Sequence, residues 1–65
     1  MNQEQFENWR QTVDELRETE SLLQFNLDMY TRTQELTYLE KILENVTHML
    51  LLIPLRNRYY EAAFR

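Results

Sequence analysis

Residues 46–55 read VTHMLLLIPL, and every side chain from Met49 to Ile53 is apolar. A helix through this segment is apolar on nearly all sides, so other parts of a structure must cover it on more than one face. The chain has only 65 residues to provide that cover. Small proteins of this kind usually depend on disulfides, a metal or a partner chain. Because the sequence has no cysteine, a partner, typically a second copy, is the expected cover.

The composition favours helices over strands. The sequence contains no glycine and a single proline, whereas most β-hairpin turns need glycine or asparagine at positive φ. Good helix formers such as Gln, Glu, Leu and Arg are abundant. The first helix is predicted from about residue 3 to residue 30, with Asn2 as its N-terminal cap.

Apolar residues recur in steps of three and four along both halves of the chain, which indicates near-parallel helix packing. Between Tyr30 and Leu36 the step is six, so the two patterns are out of phase. This break predicts a turn at about residues 31–34 and a second helix over about residues 35–64; one long helix with a phase slip is the alternative. The predicted core seam consists of Phe6, Trp9, Val13, Leu16, Leu23, Leu27, Leu39, Leu43, Val46, Leu50, Ile53 and Tyr60.

The register of such a hairpin pairs positions whose numbers sum to about 66, so that Trp9 faces Asn57 and Phe6 faces Tyr60. Glu20 is a charged member of the first seam. It is interpreted either as a residue that specifies pairing at some cost in stability or as an exposed side chain.

Pro54 cannot donate a hydrogen bond to Leu50, which predicts a kink in the second helix near residue 54. The hairpin seam leaves several apolar residues on other faces, and these are the predicted dimer interface: Met49, Leu51, Leu52, Leu55 and Tyr59. A third helix folding over the leucines after Pro54 is the alternative. The predicted fold is all-α: a single domain over residues 1–65, forming a helical hairpin that packs as a homodimeric helical bundle.

Few residues suggest chemistry. Glu40, Glu44 and His48 are spaced four apart and could hold a metal, although a solvated helix face explains them as well. No nucleophile–histidine–acid set or phosphate-binding loop is present, so we expect neither an enzyme nor a cofactor.

The C-terminal segment is basic and aromatic, with Arg56, Arg58, Tyr59 and Arg65, and could contact nucleic acid. The formal net charge of −4 makes the chain as a whole a poor binder of phosphates. We therefore treat a nucleic-acid-associated regulator as the alternative to a protein-binding module.

A location in the cytoplasm is expected. Residues 1–7 are polar and acidic and do not form a secretory signal. The apolar segment 46–55 is about half the roughly 20 residues needed to span a membrane.

The opening Met1-Asn2-Gln3-Glu4-Gln5-Phe6-Glu7-Asn8-Trp9, the size and the lack of Cys and Gly resemble small helical early-region proteins of lambdoid temperate phages, of the exonuclease–excisionase region type. This resemblance implies a protein that acts on host physiology in the host cytoplasm through protein contacts. In length, acidity and need of a partner, the chain is also similar to helical-hairpin co-chaperones of type III secretion systems. The expected function is that of a non-enzymatic regulatory or adaptor protein that binds itself and another protein.

Overall fold

The computed structural model describes all 65 residues and consists of two α-helices, α1 (Gln3–Thr33) and α2 (Leu36–Phe64), packed antiparallel. The predicted all-helical hairpin is confirmed, and the single long helix is excluded. The hairpin is a rod whose Cα atoms span 47 × 14 × 11 Å. Its radius of gyration of 14.8 Å exceeds the value of about 11 Å expected for a compact domain of this length.

Local hydrogen bonds define both ends of α1. The Asn2 side chain accepts from the Gln5 backbone N–H at 3.2 Å, which is the predicted cap. Gln34 ends the helix in the left-handed conformation (φ 60°), and its N–H donates to the Tyr30 carbonyl. Thr33 Oγ1 then accepts from the Glu35 N–H. The helix therefore runs three residues beyond its predicted end, and the turn is shorter than predicted.

The second helix starts after Glu35 and continues through Pro54 to Phe64. The segment after the proline is helical and belongs to α2, so no third helix covers the leucines. The kink predicted at Pro54 stays a prediction.

The surface of α1 that faces α2 is largely polar. Thr12, Thr19 and Asn26, spaced seven residues apart, are buried together with Leu16. Both threonine hydroxyls donate to backbone carbonyls four residues earlier in α1, and Asn26 Nδ2 donates to Asn45 Oδ1 at 2.9 Å. These side chains are buried without loss of stability from unpaired polar groups, because each has a hydrogen-bond partner.

The surface of α2 that faces α1 contains buried Leu52 and Ala63, with Asn45, Met49 and Tyr59 half-buried. Four of these five positions, all except Ala63, lie one residue before a member of the predicted seam, and one residue corresponds to a rotation of about 100° around a helix. The sequence-based seam is therefore corrected: of its members only Leu16 is buried. Leu27, Leu43, Val46, Leu50 and Tyr60 are exposed, and Phe6, Trp9, Val13, Leu23, Leu39 and Ile53 are half-buried.

Polar contacts between the helices join positions whose numbers sum to values from 63 (Glu15 and His48) to 71 (Asn26 and Asn45), around the predicted 66, but the aromatic pairs differ from the prediction. Phe6 lies beside Phe64, at 6.0 Å between ring centroids. The Trp9 ring lies beside Tyr60, at 6.0 Å between centroids, rather than beside Asn57. Asn57 instead accepts hydrogen bonds from the neighbouring Arg56 guanidinium.

Candidate interaction surfaces

A long apolar stripe runs along one side of the hairpin. On α1, each member follows by one residue a position that faces α2. The members on α2 lie on the same side of the hairpin. We define the apolar stripe as Phe6, Trp9, Val13, Leu27, Leu36, Leu39, Leu43, Val46, Leu50, Ile53, Tyr60 and Phe64, of which seven are exposed and five half-buried. The residues predicted as the core between the two helices thus form most of an outer face.

Aromatic rings form the open end of the stripe. Phe6 and Phe64 meet edge to face at 6.0 Å between centroids, and Tyr60 lies 4.8 Å from Phe64. The Trp9 ring centroid lies 5.6 Å from that of Phe6 and 6.0 Å from those of Tyr60 and Phe64. These contacts join the two helix ends, and they show that the stripe residues of α1 and α2 lie on the same side of the hairpin.

Charged residues border the stripe, and one lies within it. Helical spacing places Arg10 and Arg17 along its α1 edge, and Glu40 and Glu61 along its α2 edge. Glu20 occupies the stripe position between Val13 and Leu27 and is exposed in the hairpin. In an isolated hairpin this carboxylate is hydrated; a protein covering the stripe has to pair it.

The other side of the hairpin is mixed in character. His48 Nε2 lies 3.1 Å from Glu15 Oε1, and its Nδ1 lies 3.4 Å from Thr19 Oγ1. Exposed apolar residues flank this cluster: Leu22 and Phe25 on α1, and Leu51 and Leu55 on α2. We call Leu22, Phe25, Leu51 and Leu55 together the outer cluster; His48, Glu15 and Thr19 are not part of it.

The residues predicted for the dimer interface do not share one surface. Leu52 is only 6% exposed and packs between the helices, while Met49 and Tyr59 are half-buried there. Leu51 and Leu55 are exposed as expected for a contact surface. Three of the five residues therefore pack between the two helices of the hairpin. They face α1 because α2 is rotated by about one residue relative to the predicted orientation.

No three acidic or histidine side chains come together in a way that could hold a metal ion. Glu40, Glu44 and His48 lie on α2 as their spacing predicts, but His48 contacts Glu15 of α1. His48 thus pairs with a residue of α1, and the three residues do not form a metal site.

The basic aromatic segment is also divided by the fold. Arg56 and Tyr59 are half-buried, whereas Arg58 is exposed. Arg65 lies 4.0 Å from Glu61, an acidic neighbour one turn earlier. The rings and the cations therefore do not form one uninterrupted exposed surface for a nucleic-acid strand.

The exposed surface of the hairpin is larger than its mass predicts. A compact monomer of 8.1 kDa exposes about 4,500 Å², whereas the hairpin exposes 5072 Å². Only 6 of 65 residues are buried, and no large side chain is fully enclosed. The excess of about 600 Å² reflects the elongated two-helix shape of the hairpin.

Neither helix contains a stretch that is both long and apolar enough to cross a membrane.

The fold and its surface define a helical hairpin with a long apolar face, interrupted by Glu20, that no element of the chain covers. Comparison with protein-family models, with curated proteins and with solved structures finds no match.

Proposed function

We propose that this chain is a non-enzymatic protein-interaction module, regulatory or adaptor in role, that works as a homodimer of hairpins. The apolar stripe is the observation that carries this proposal. Exposed apolar patches of this extent in soluble proteins mark contact surfaces. Helices α1 and α2 account for residues 3–33 and 36–64, so no further helix of these 65 residues is left to cover it.

The size and shape of the stripe fit a second copy. The Cα atoms of the long face span about 47 × 14 Å, so that two fully overlapping faces bury at least roughly 1,300 Å². This lies within the range of specific protein–protein interfaces, about 1,200–2,000 Å². Two identical faces placed around a two-fold axis also match in length and in apolar character, which is the commonest arrangement of homodimers.

A homodimer formed through the stripe resembles a four-helix bundle. Each helix then contacts neighbours on two sides, and the large apolar side chains become its core. We propose that α2 bends at Pro54 in this assembly, since residue 54 has no N–H to donate to the Leu50 carbonyl.

The outer cluster remains free when the stripe is covered. Leu22, Phe25, Leu51 and Leu55 then provide the apolar part of a surface for another protein. The acidic residues Glu15, Glu18 and Glu44 lie on the same side of the rod and favour a partner of complementary charge.

Two neighbouring leucines provide a matched test. Leu50 belongs to the stripe and Leu51 does not, yet each is 65% exposed in the hairpin. We expect Leu50→Glu to convert the dimer into a monomer and Leu51→Glu to leave it intact, as measured by sedimentation equilibrium over a wide concentration range. Both substitutions have the same chemistry and the same effect on helix propensity.

The reverse result, dissociation by Leu51→Glu alone, would place the interface at the leucines predicted from the sequence. A wild-type chain that stays monomeric and folded at high concentration would exclude the homodimer.

A further inference from the structure

We infer that the two hairpins pack with their turns at opposite ends, so that Glu20 of each copy lies beside Arg17 of the other. This inference rests on the proposed homodimer and specifies its geometry. It follows from one question: where can the only charged residue of the apolar stripe find a partner when the stripe is covered? A carboxylate enclosed by apolar groups without a partner strongly disfavours association.

Contacts within the hairpin establish which positions of α1 and α2 lie at the same level. Thr19 meets His48, Trp9 meets Tyr60, and Asn26 meets Asn45. Glu20 therefore lies at the level of residues 47–51 of α2. A two-fold axis between two stacked faces permits two orientations, and they give Glu20 different neighbours.

With the turns at the same end, α1 of one copy covers α2 of the other at the same level. Glu20 then meets the segment around Val46 and Leu50, which contains no Lys or Arg between Lys41 and Arg56. His48 is at this level but faces the other side of the hairpin, where it contacts Glu15. This orientation places the Glu20 carboxylate against apolar side chains of the second copy, with no Lys or Arg of that copy in reach.

With the turns at opposite ends, α1 covers α1 and α2 covers α2. The midpoints of the helices are residues 18 and 50, so full overlap brings Glu20 to the level of position 16 of the second copy. Arg17 of that copy lies one position further, about 1.5 Å along the axis. Symmetry forms this ion pair twice, on the α1 edge of the stripe.

The same orientation matches apolar residues along α2. Leu50 meets Leu50 of the second copy at the two-fold axis, and Val46 meets the region of Ile53. Leu36, next to the turn, meets Phe64 at the aromatic end. The pairing of Glu20 and the apolar pattern therefore favour this orientation, whereas the edge residues Arg10 and Glu61 could pair only in the other one.

Distance measurement between spin labels tests the orientation directly. The sequence has no cysteine, so Glu35→Cys gives one label per chain, at an exposed turn residue whose side chain makes no capping hydrogen bond. Turns at opposite ends predict a label separation of about 47 Å, the length of the rod. Turns at the same end predict less than roughly 25 Å, because neighbouring helices lie about 8–10 Å apart.

The result separates the two proposals. A short distance overturns the orientation and leaves the homodimer standing. The absence of any dipolar coupling, together with a monomeric mass, overturns the homodimer and the orientation with it.

Charge exchange tests the ion pair. We expect Arg17→Glu or Glu20→Arg alone to raise the dimer dissociation constant at least about tenfold, and the double variant to restore most of the affinity. Arg10→Glu with Glu61→Arg is the matched control, since these two residues face each other across copies only with the turns at the same end. Coupling between Arg10 and Glu61, with none between Arg17 and Glu20, would overturn the inference.

Discussion

Asn26 of α1 and Asn45 of α2 join the two helices through a side-chain hydrogen bond of 2.9 Å. Asn26 is buried and Asn45 half-buried. Because either amide loses its partner when the helices slide past each other, the pair penalises other registers, as buried polar residues do in coiled coils. This polar pair thus favours one register, whereas most large apolar residues other than Leu16 and Leu52 are exposed or half-buried.

Asn26→Ala is expected to lower the free energy of unfolding by about 1–3 kcal/mol, because the Asn45 amide loses its partner in the seam. Urea unfolding at one fixed protein concentration measures the effect. Gln24→Ala, an exposed change on the same helix, serves as the control and is expected to stay within about 0.5 kcal/mol of the wild type. Equal stability of Asn26→Ala and wild type would contradict a role for the pair.

Replacing both asparagines by leucine is expected to restore stability while removing the penalty on other registers. Amide NMR spectra report the difference. One set of resonances in the wild type should give way to broadened or multiple resonances in the Asn26→Leu/Asn45→Leu variant. A single sharp set in that variant would show that the helix packing alone specifies the register.

Ala63 has no exposed surface, and its carbonyl accepts from the Asn2 N–H at 3.1 Å. Ala63→Leu is expected to lower stability by about 1–3 kcal/mol, since the helices approach too closely there for a larger side chain. The neighbouring Ala62 is exposed, and Ala62→Leu should change stability by no more than about 0.5 kcal/mol. Thermal unfolding of the two variants compares them, and equal melting temperatures would contradict the close approach.

Gln34 holds the left-handed conformation that ends α1. This conformation costs a residue with a Cβ about 1 kcal/mol or more, and glycine adopts it freely. We therefore expect Gln34→Gly to raise the free energy of unfolding by about 0.5–1 kcal/mol, although the unfolded chain becomes more flexible. Gln24→Gly, within α1, should instead lower the free energy of unfolding by about 1 kcal/mol. A loss of stability in both variants would contradict the turn geometry.

Pro54 lies inside α2, where proline is about 3 kcal/mol less favourable than alanine. Pro54→Ala should raise stability by at least about 1 kcal/mol in urea unfolding. Thr47→Ala is the control: it lies two turns earlier on the same exposed side of α2 and measures the gain in stability from helix propensity alone. A Pro54→Ala variant that is more helical but dissociates more readily would support a bend that the assembled dimer uses.

The sequence by itself determined the two helices and the position of the break between them. Glycine is absent, Asn2 can cap the first helix, and the apolar steps lose phase between Tyr30 and Leu36, so these features depend on local hydrogen bonds and spacing. Such features depend little on what packs against them. The predicted boundaries differ by a few residues because Thr33 and Gln34 share the hydrogen bonds of the turn.

Only the tertiary structure decided which side of each helix faces the other. Two lines of residues with the same spacing, one residue apart, run along each helix, and the more apolar line is the one that the sequence predicts as the core. The hairpin instead packs on the other line. On α1 this line contains Thr12, Thr19 and Asn26, a seven-residue repeat whose spacing is visible in the sequence. The two threonines satisfy their hydroxyl hydrogen bonds within α1, and Asn26 bonds to Asn45 across the contact. All three side chains are small enough for close helix contact. Two helices are too thin to enclose large apolar side chains, and these are left on the surface for a further layer of protein to cover.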